Sequence, residues 1–273
     1  MPLLLLAWLL IAACSSADRT PNDSAATPVQ NSLMIMAQEY SFDAPDTVPA
    51  GFTRVSLMNH GAESHHALLI RMDSGHVAGE LLEHFQKSRV PPNWVAFYGG
   101  PSVSVQPLSE NVVDLTPGNY VMICVIPAPD GTPHVAKGMV RPLTVVPGTV
   151  ATAAPNADLT ITLSDYAFTP SGPLSSGQHV IRVDNAGEQA HELIMIKLEP
   201  GRTIEEYVTW SRKPEGPRPG SPVGGTMAQS RGITNYVIAD LTPGEYGFIC
   251  FIPDTKDGKP HLAHGMIKQF AVQ

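Results

Sequence analysis

The chain has 273 residues, a net charge of −8 and three cysteines: Cys14, Cys124 and Cys250. An acidic chain without clustered Lys and Arg is a poor ligand for phosphate backbones, which excludes nucleic acid as the expected partner. Its 26 prolines and 23 glycines suit a loop-rich β protein better than a helical one.

Met1 to Ala13 is an apolar run with no charged side chain. It is shorter than the roughly 20 residues that span a bilayer and has the length of a signal-peptide core ending in small residues. Its close, Ile11-Ala12-Ala13-Cys14, resembles the bacterial lipobox. That resemblance implies a cleaved leader over 1–13, lipidation of Cys14 and a place in the bacterial cell envelope, facing periplasm or exterior. The membrane would then be contacted through the lipid. Residues 14–32 are rich in Ser, Ala, Thr, Asp and Pro and read as a flexible tether, since they bury too little apolar surface to offset the entropy of ordering.

Beyond the tether the chain repeats itself. Glu39-Tyr40-Ser41-Phe42 matches Asp165-Tyr166-Ala167-Phe168, and Asn59-His60-Gly61 matches Asn185-Ala186-Gly187. His65 matches His191, Asp114-Leu115-Thr116-Pro117-Gly118-Asn119-Tyr120 matches Asp240-Leu241-Thr242-Pro243-Gly244-Glu245-Tyr246, and Cys124 matches Cys250, all 126 positions apart. One inserted residue later, His134 matches His261 and Gly138-Met139 matches Gly265-Met266. So long a period is a duplicated domain rather than a solenoid. The expected units are 33–147 and 158–273, joined by a linker over 148–157.

Each unit reads as β. Phe52 to Leu57, Asp158 to Ser164 and His179 to Val183 alternate apolar and polar residues, as half-buried strands do. Ala67 to Ile70 and Leu193 to Ile196 are short apolar runs that suit fully buried strands. Thr-Pro-Gly before Tyr120 and before Tyr246 is a turn opening a strand that ends at the Cys. Val140 to Val145 and Ile267 to Val272 read as the last strand of each unit. One helix per unit is expected, over His76 to Lys87 and over Thr203 to Arg212, from apolar residues at helical spacing such as Leu81, Leu82 and Phe85. The fold class is all-β, with two tandem β-sandwiches.

The chemistry concentrates in four residues per unit. His65, Cys124, His134 and Met139 recur as His191, Cys250, His261 and Met266. Two imidazoles, a thiolate and a thioether are the donor set of a blue-copper site, a trigonal His₂Cys plane with a weak axial Met. A distant His followed by closely spaced Cys, His and Met, with Gly before the Met, resembles the plastocyanin-like cupredoxins. The resemblance covers nearly all of both units. It implies Greek-key sandwiches, each with one short inserted helix, and one copper per unit. The first His would come from an inner strand and the other ligands from the loop joining the last two strands. Nine residues separate Cys124 from His134 and ten separate Cys250 from His261, where the family uses two to four. His66 and Glu192 stand after the first His, where the family often has Asn or Ser that helps to fix the Cys loop. Strand alternation points both away from the ligand face.

Other readings stay open at this level. The cysteines and methionines could be core residues, Cys124 and Cys250 could pair if their Cα atoms come within about 7 Å, and zinc could take Cys and two His, although Met is a poor zinc ligand. Neither Cys adjoins a His and no His-x-His pair occurs, so the sequence leads us to expect no nitrite-reductase-like or laccase-like activity. Electron transfer to an unidentified redox partner is expected, with one imidazole of each pair near the surface as the electron port. Copper storage or delivery, or a metal-free interaction module, are the alternatives.

Overall fold

Leu33, Ile35 and Ala37 point inward from the first strand while Met34 and Met36 point out, the alternation of a sheet with one buried face. The computed structural model describes residues 30–88 and 90–273. The expected leader, Cys14 and all but the last residues of the tether lie outside them. The first half comprises β1 (Asn31–Gln38), β2 (Ser41–Asp43), β3 (Thr47–Pro49), β4 (Gly51–Asn59), β5 (Leu68–Met72), α1 (Ala78–Lys87), β6 (Val95–Gly99), β7 (Leu108–Leu115), β8 (Gly118–Ile123) and β9 (Val140–Val146). The second half comprises β10 (Leu159–Ser164), β11 (Ala167–Pro170), β12 (Gly177–Asn185), β13 (His191–Leu198), α2 (Ile204–Arg212), β14 (Gly220–Gln229), β15 (Thr234–Leu241), β16 (Gly244–Ile249) and β17 (Ile267–Val272). Both expected helices form. α2 is closed by a capping box in which Thr203 and Glu206 satisfy each other's backbone N–H groups. β1 begins two residues before the expected start of the first unit.

The strands make two sheets that each run through both halves. One has the order β11-β10-β12-β15-β7-β4-β1-β2 and the other β17-β16-β13-β14-β6-β5-β8-β9-β3. The halves meet where β15 pairs antiparallel with β7, Tyr236 opposite Val112, and where Gln229 of β14 pairs with Tyr98 of β6. Residues 148–157 form no strand or helix, and Thr152 Oγ1 in that segment accepts the Phe52 N–H at 2.8 Å.

Burial on both faces explains the continuous apolar runs of the second sheet. Leu69, Tyr120 and Met122 face the core of the first half, whereas their neighbours Leu68, Ile70, Val121 and Ile123 face a cluster that includes Leu81 of α1, Tyr207 and Val208 of α2, and Ile194 and Ile196 of β13. A third cluster, around Leu163, Met195, Tyr246 and Phe248, fills the second half. The Thr-Pro-Gly-x-Tyr repeat closes each core. The Tyr120 hydroxyl donates to Thr116 O at 3.0 Å and accepts the Thr116 N–H at 3.2 Å, and Tyr246 does the same with Thr242 at 2.9 and 3.1 Å. These are tyrosine corners.

Pairing of β13 with β14 is irregular between His191 and Leu193, where Gln229 and Thr226 are the partners. A bulge of this kind re-aims the side chain beside it, here His191. Gly225 makes the close approach possible. Its φ is +125°, and a Cβ there would lie 1.9 Å from Leu193 O. Gly225→Ala is therefore expected to lower the unfolding free energy by about 1–3 kcal/mol or more, read as a reduced urea midpoint.

Candidate metal centre

Two strands and one hairpin build each centre. His65 precedes β5 and His191 opens β13, while the cysteines follow β8 and β16. The long loops do not wander. Ala128 N–H donates to Thr132 O at 2.9 Å, Pro127 bridges Pro133, and His134 N–H returns to Ile126 O at 2.9 Å. In the second half Asp254 N–H donates to Lys259 O at 2.7 Å, Pro253 bridges Pro260, and His261 N–H reaches Ile252 O at 2.8 Å. The extra residues are thus spent in a closed hairpin that brings each His back beside its Cys. A 3-10 turn then runs over His134–Lys137 or His261–His264 and ends at Gly138 or Gly265, each with positive φ. That turn delivers Met139 and Met266, both 0% exposed, whose carbonyls accept the Cys124 and Cys250 N–H groups at 3.3 Å.

The donor atoms converge. His65 Nδ1 lies 3.1 Å from His134 Nδ1, which lies 3.5 Å from Cys124 Sγ. The second half gives 3.0 Å for His191 Nδ1 to His261 Nδ1 and 3.5 Å to Cys250 Sγ. Within each triad all ligand atoms lie within 4.8 Å of one another. Both cysteines are free thiols, so the disulfide alternative falls.

The six donors are buried, and burial acts on the two thiols and on three of the imidazoles. It pushes the Cys124 thiol up to about 11 and the Cys250 thiol well above its usual value, so a thiolate here needs a cation beside it. Burial lowers His65, His191 and His261, the last to about 4 with help from His191. Neutral imidazoles are the metal-binding form.

Carboxylates fix the tautomer of one imidazole per triad. His134 Nε2 faces Glu63 Oε2 at 2.9 Å, and His191 Nε2 faces Asp165 Oδ1 at 2.5 Å. Each Nε2 must carry the proton that it gives to the carboxylate, leaving Nδ1 as a lone pair aimed at the Cys and the second His. The remaining Nε2 atoms, of His65 and His261, are buried without a hydrogen bond. Two imidazole Nδ1 atoms that share one proton, and a sulfur, converge in each buried triad; loss of that proton leaves a donor set that suits a thiophilic cation. The hydrogen bond to His191 holds Asp165 low despite the burial that opposes it.

The two halves use their carboxylates differently. Glu39 and Asp165 hold the same repeat position, yet only Asp165 reaches an imidazole closely. Glu39 Oε1 instead accepts the Glu63 N–H at 2.9 Å and stands 3.8 Å from His65 Nε2. Glu63 is Gln189 in the second half. Its carboxylate accepts the Tyr40 hydroxyl at 2.8 Å, whereas Tyr166 and Gln189 both turn to Asp254. Glu63, Asp165 and the two tyrosines escaped the sequence reading, although an acid followed by Tyr is retained in both repeats. Asp254, Asp257 and His264 also cluster, but Asp254 is consumed by Tyr166, Gln189 and the N–H groups of Lys256 and Asp257, so it serves as a loop staple.

His66 and Glu192 fix the Cys loops. His66 Nε2 accepts the Val125 N–H at 3.0 Å and Glu192 Oε1 accepts the Phe251 N–H at 2.8 Å, one residue past each Cys. Burial drives His66 down to about 3 and Glu192 up to about 7. His66→Ala should cost roughly 1–3 kcal/mol of stability by orphaning that N–H, measured by denaturant unfolding, while Glu192→Gln, which keeps its acceptor, should cost less than Glu192→Ala.

No family model matches the chain, and no curated protein matches it. Among solved structures, reduced auracyanin from Roseiflexus castenholzii aligns at 24% identity over 43% of this chain and 98% of its own, with a TM-score of 0.30. A copper nitrite reductase from Nitrosomonas europaea aligns at 13% identity over 90% of this chain and 94% of its own, with a TM-score of 0.25. A multicopper oxidase aligns at 14% identity over 89% and 88%, with a TM-score of 0.24. The fold is cupredoxin-like. Its His/Cys triads suit the copper-binding form of that fold.

Two expectations need correction. Against the expected lack of enzymatic activity, the solved structures that align with this chain include enzymes, a nitrite reductase and an oxidase. The expectation rested on sequence neighbours of Cys124 and Cys250, whereas a centre is assembled from separate elements, as both triads are. The surface port is also corrected. His134, His191 and His261 are 0% exposed and His65 is 2% exposed, because Glu63 with Tyr40, and Asp165 with Tyr166, lie over the imidazoles.

Proposed function

We propose that the protein binds copper at both triads and carries electrons in the cell envelope, held there by a lipid on Cys14. The observation that carries this reading is the convergence of two Nδ1 atoms and one Sγ in each half, at 3.0–3.5 Å. Copper, when bound, supplies a one-electron couple. Cys124 and Cys250 would provide the thiolate, His65, His134, His191 and His261 the imidazoles, and Met139 and Met266 the thioethers. The hairpins and the His66 and Glu192 bonds hold these donors in place, so little rearrangement accompanies a change of charge. Burial excludes water. In this reading residues 33–147 and 158–273 each act as one copper domain, and a second protein is the redox partner.

The test is a Cu(II) titration of the full chain carrying Cys14→Ser, with visible absorption recorded and copper counted. An intense blue thiolate-to-copper band reaching saturation at two coppers per chain is the expected outcome. Copper bound without that band would favour storage or delivery, and no bound copper would overturn the ligand assignment.

A further inference from the structure

A cavity of about 950 Å³ opens between the two metal hairpins. Val125 and Val135 line it from the first hairpin, Ala190 and Ile252 from the second, Phe85 from α1 and Phe97 from β6. Its volume lies within the roughly 300–1,000 Å³ of small-molecule sites, which favour junctions between folded units. The lining is continuous with the apolar cluster that both halves share. Val90 and Val125, at the cavity, leave 47% and 44% of their surface exposed.

Several of its polar groups are already engaged. Glu188 and Arg231, the only charged residues among the described lining, pair with each other. The Gln189 amide donates to Asp254 and Tyr166 and accepts the Thr255 N–H. Ser230 Oγ accepts the Phe97 N–H. Among the described lining residues a charged occupant would find no free counter-charge, and it would lose hydration.

We infer that this cavity is a binding site for an uncharged, predominantly apolar small molecule that touches both metal hairpins at once. Val125 follows Cys124, Val135 follows His134, Ala190 precedes His191, and Ile252 lies two residues past Cys250. An occupant thus rests on the chain segments that carry donors of both triads. Binding needs no metal, so its test is independent of the copper assignment.

The experiment titrates N-phenyl-1-naphthylamine, an uncharged probe that brightens in apolar surroundings, into metal-free full chain carrying Cys14→Ser, which leaves no acyl chain there to compete. Saturable binding of one probe per chain is expected. Val90→Asp and Val125→Asp should each weaken it tenfold or more, with thermal unfolding little changed because both residues keep nearly half of their surface exposed. Val146→Asp, at an exposed valine remote from the lining, should leave it unaltered. Non-saturable uptake, equal affinity in the Val90 and Val125 variants, or tighter binding of an anionic naphthalene sulfonate would overturn the proposal. So would a dimer in sedimentation that dissociates as the probe binds, since a second copy would then be the natural occupant.

Discussion

Cys124→Ser should remove one of the two thiolate-to-copper absorption bands and Cys250→Ser the other, leaving the double variant colourless. The thiolate is the one donor in each triad whose loss cannot be covered by a neighbour. His134 Nδ1 lies 3.5 Å from Cys124 Sγ, and the Met139 carbonyl is engaged with the Cys124 N–H. A serine hydroxyl at the same place stays protonated and is a hard oxygen donor, poorly suited to a soft cation. Stability reports the same loss. A ligand bound only by the folded state, at a free concentration about 1,000 times its Kd, stabilises by about 4 kcal/mol. Copper should therefore raise the denaturant midpoint of the intact chain by two such increments if unfolding stays cooperative, and of either single variant by one. Bands that survive in either single variant at full intensity would mean that only one half binds copper.

Much of this site was legible because the chain contains its own comparison. Donor order, the Thr-Pro-Gly-x-Tyr corners and the strand runs recur 126 residues apart, or 127 past the Cys, which marked the His, Cys and Met positions before any fold was known. What stayed hidden depends on three-dimensional reach. Nothing in the alternation of Leu108 to Leu115 or Thr234 to Leu241 says that these strands pair with each other, because a strand with one buried face has the same pattern at a sheet edge or inside it. The nine and ten residues after the cysteines gave a length but no shape, and the hairpins that absorb them are held by backbone bonds open to many sequences. His66 and Glu192 were placed off the ligand face by alternation, and that is where they lie, bonded to Val125 and Phe251. The covering carboxylates could not be assigned, since Glu39 and Asp165 share a repeat position and only one of them approaches an imidazole closely.

That divergence yields the second large prediction. Glu63→Ala removes the acceptor of both His134 Nε2–H and the Tyr40 hydroxyl, freeing the imidazole to turn and to exchange tautomers. Loss of such an outer partner typically costs about 10–100-fold in metal affinity, and that drop is expected at the first centre alone. Asp165→Ala should produce the same drop at the second centre alone, through His191. Gln189→Ala, at the repeat position of Glu63, should leave both affinities nearly unchanged, because Gln189 contacts Tyr166, Asp254 and Thr255 rather than an imidazole. Competition titrations against a copper chelator, run in Cys124→Ser and Cys250→Ser backgrounds, read one centre at a time. Equal losses for Glu63→Ala and Gln189→Ala would show that these residues merely hold the loop. Losses confined to Glu63 and Asp165 would tie each centre to its own carboxylate, one acting on the hairpin histidine and the other on the strand histidine, so that two repeats with the same donors are oriented from opposite sides.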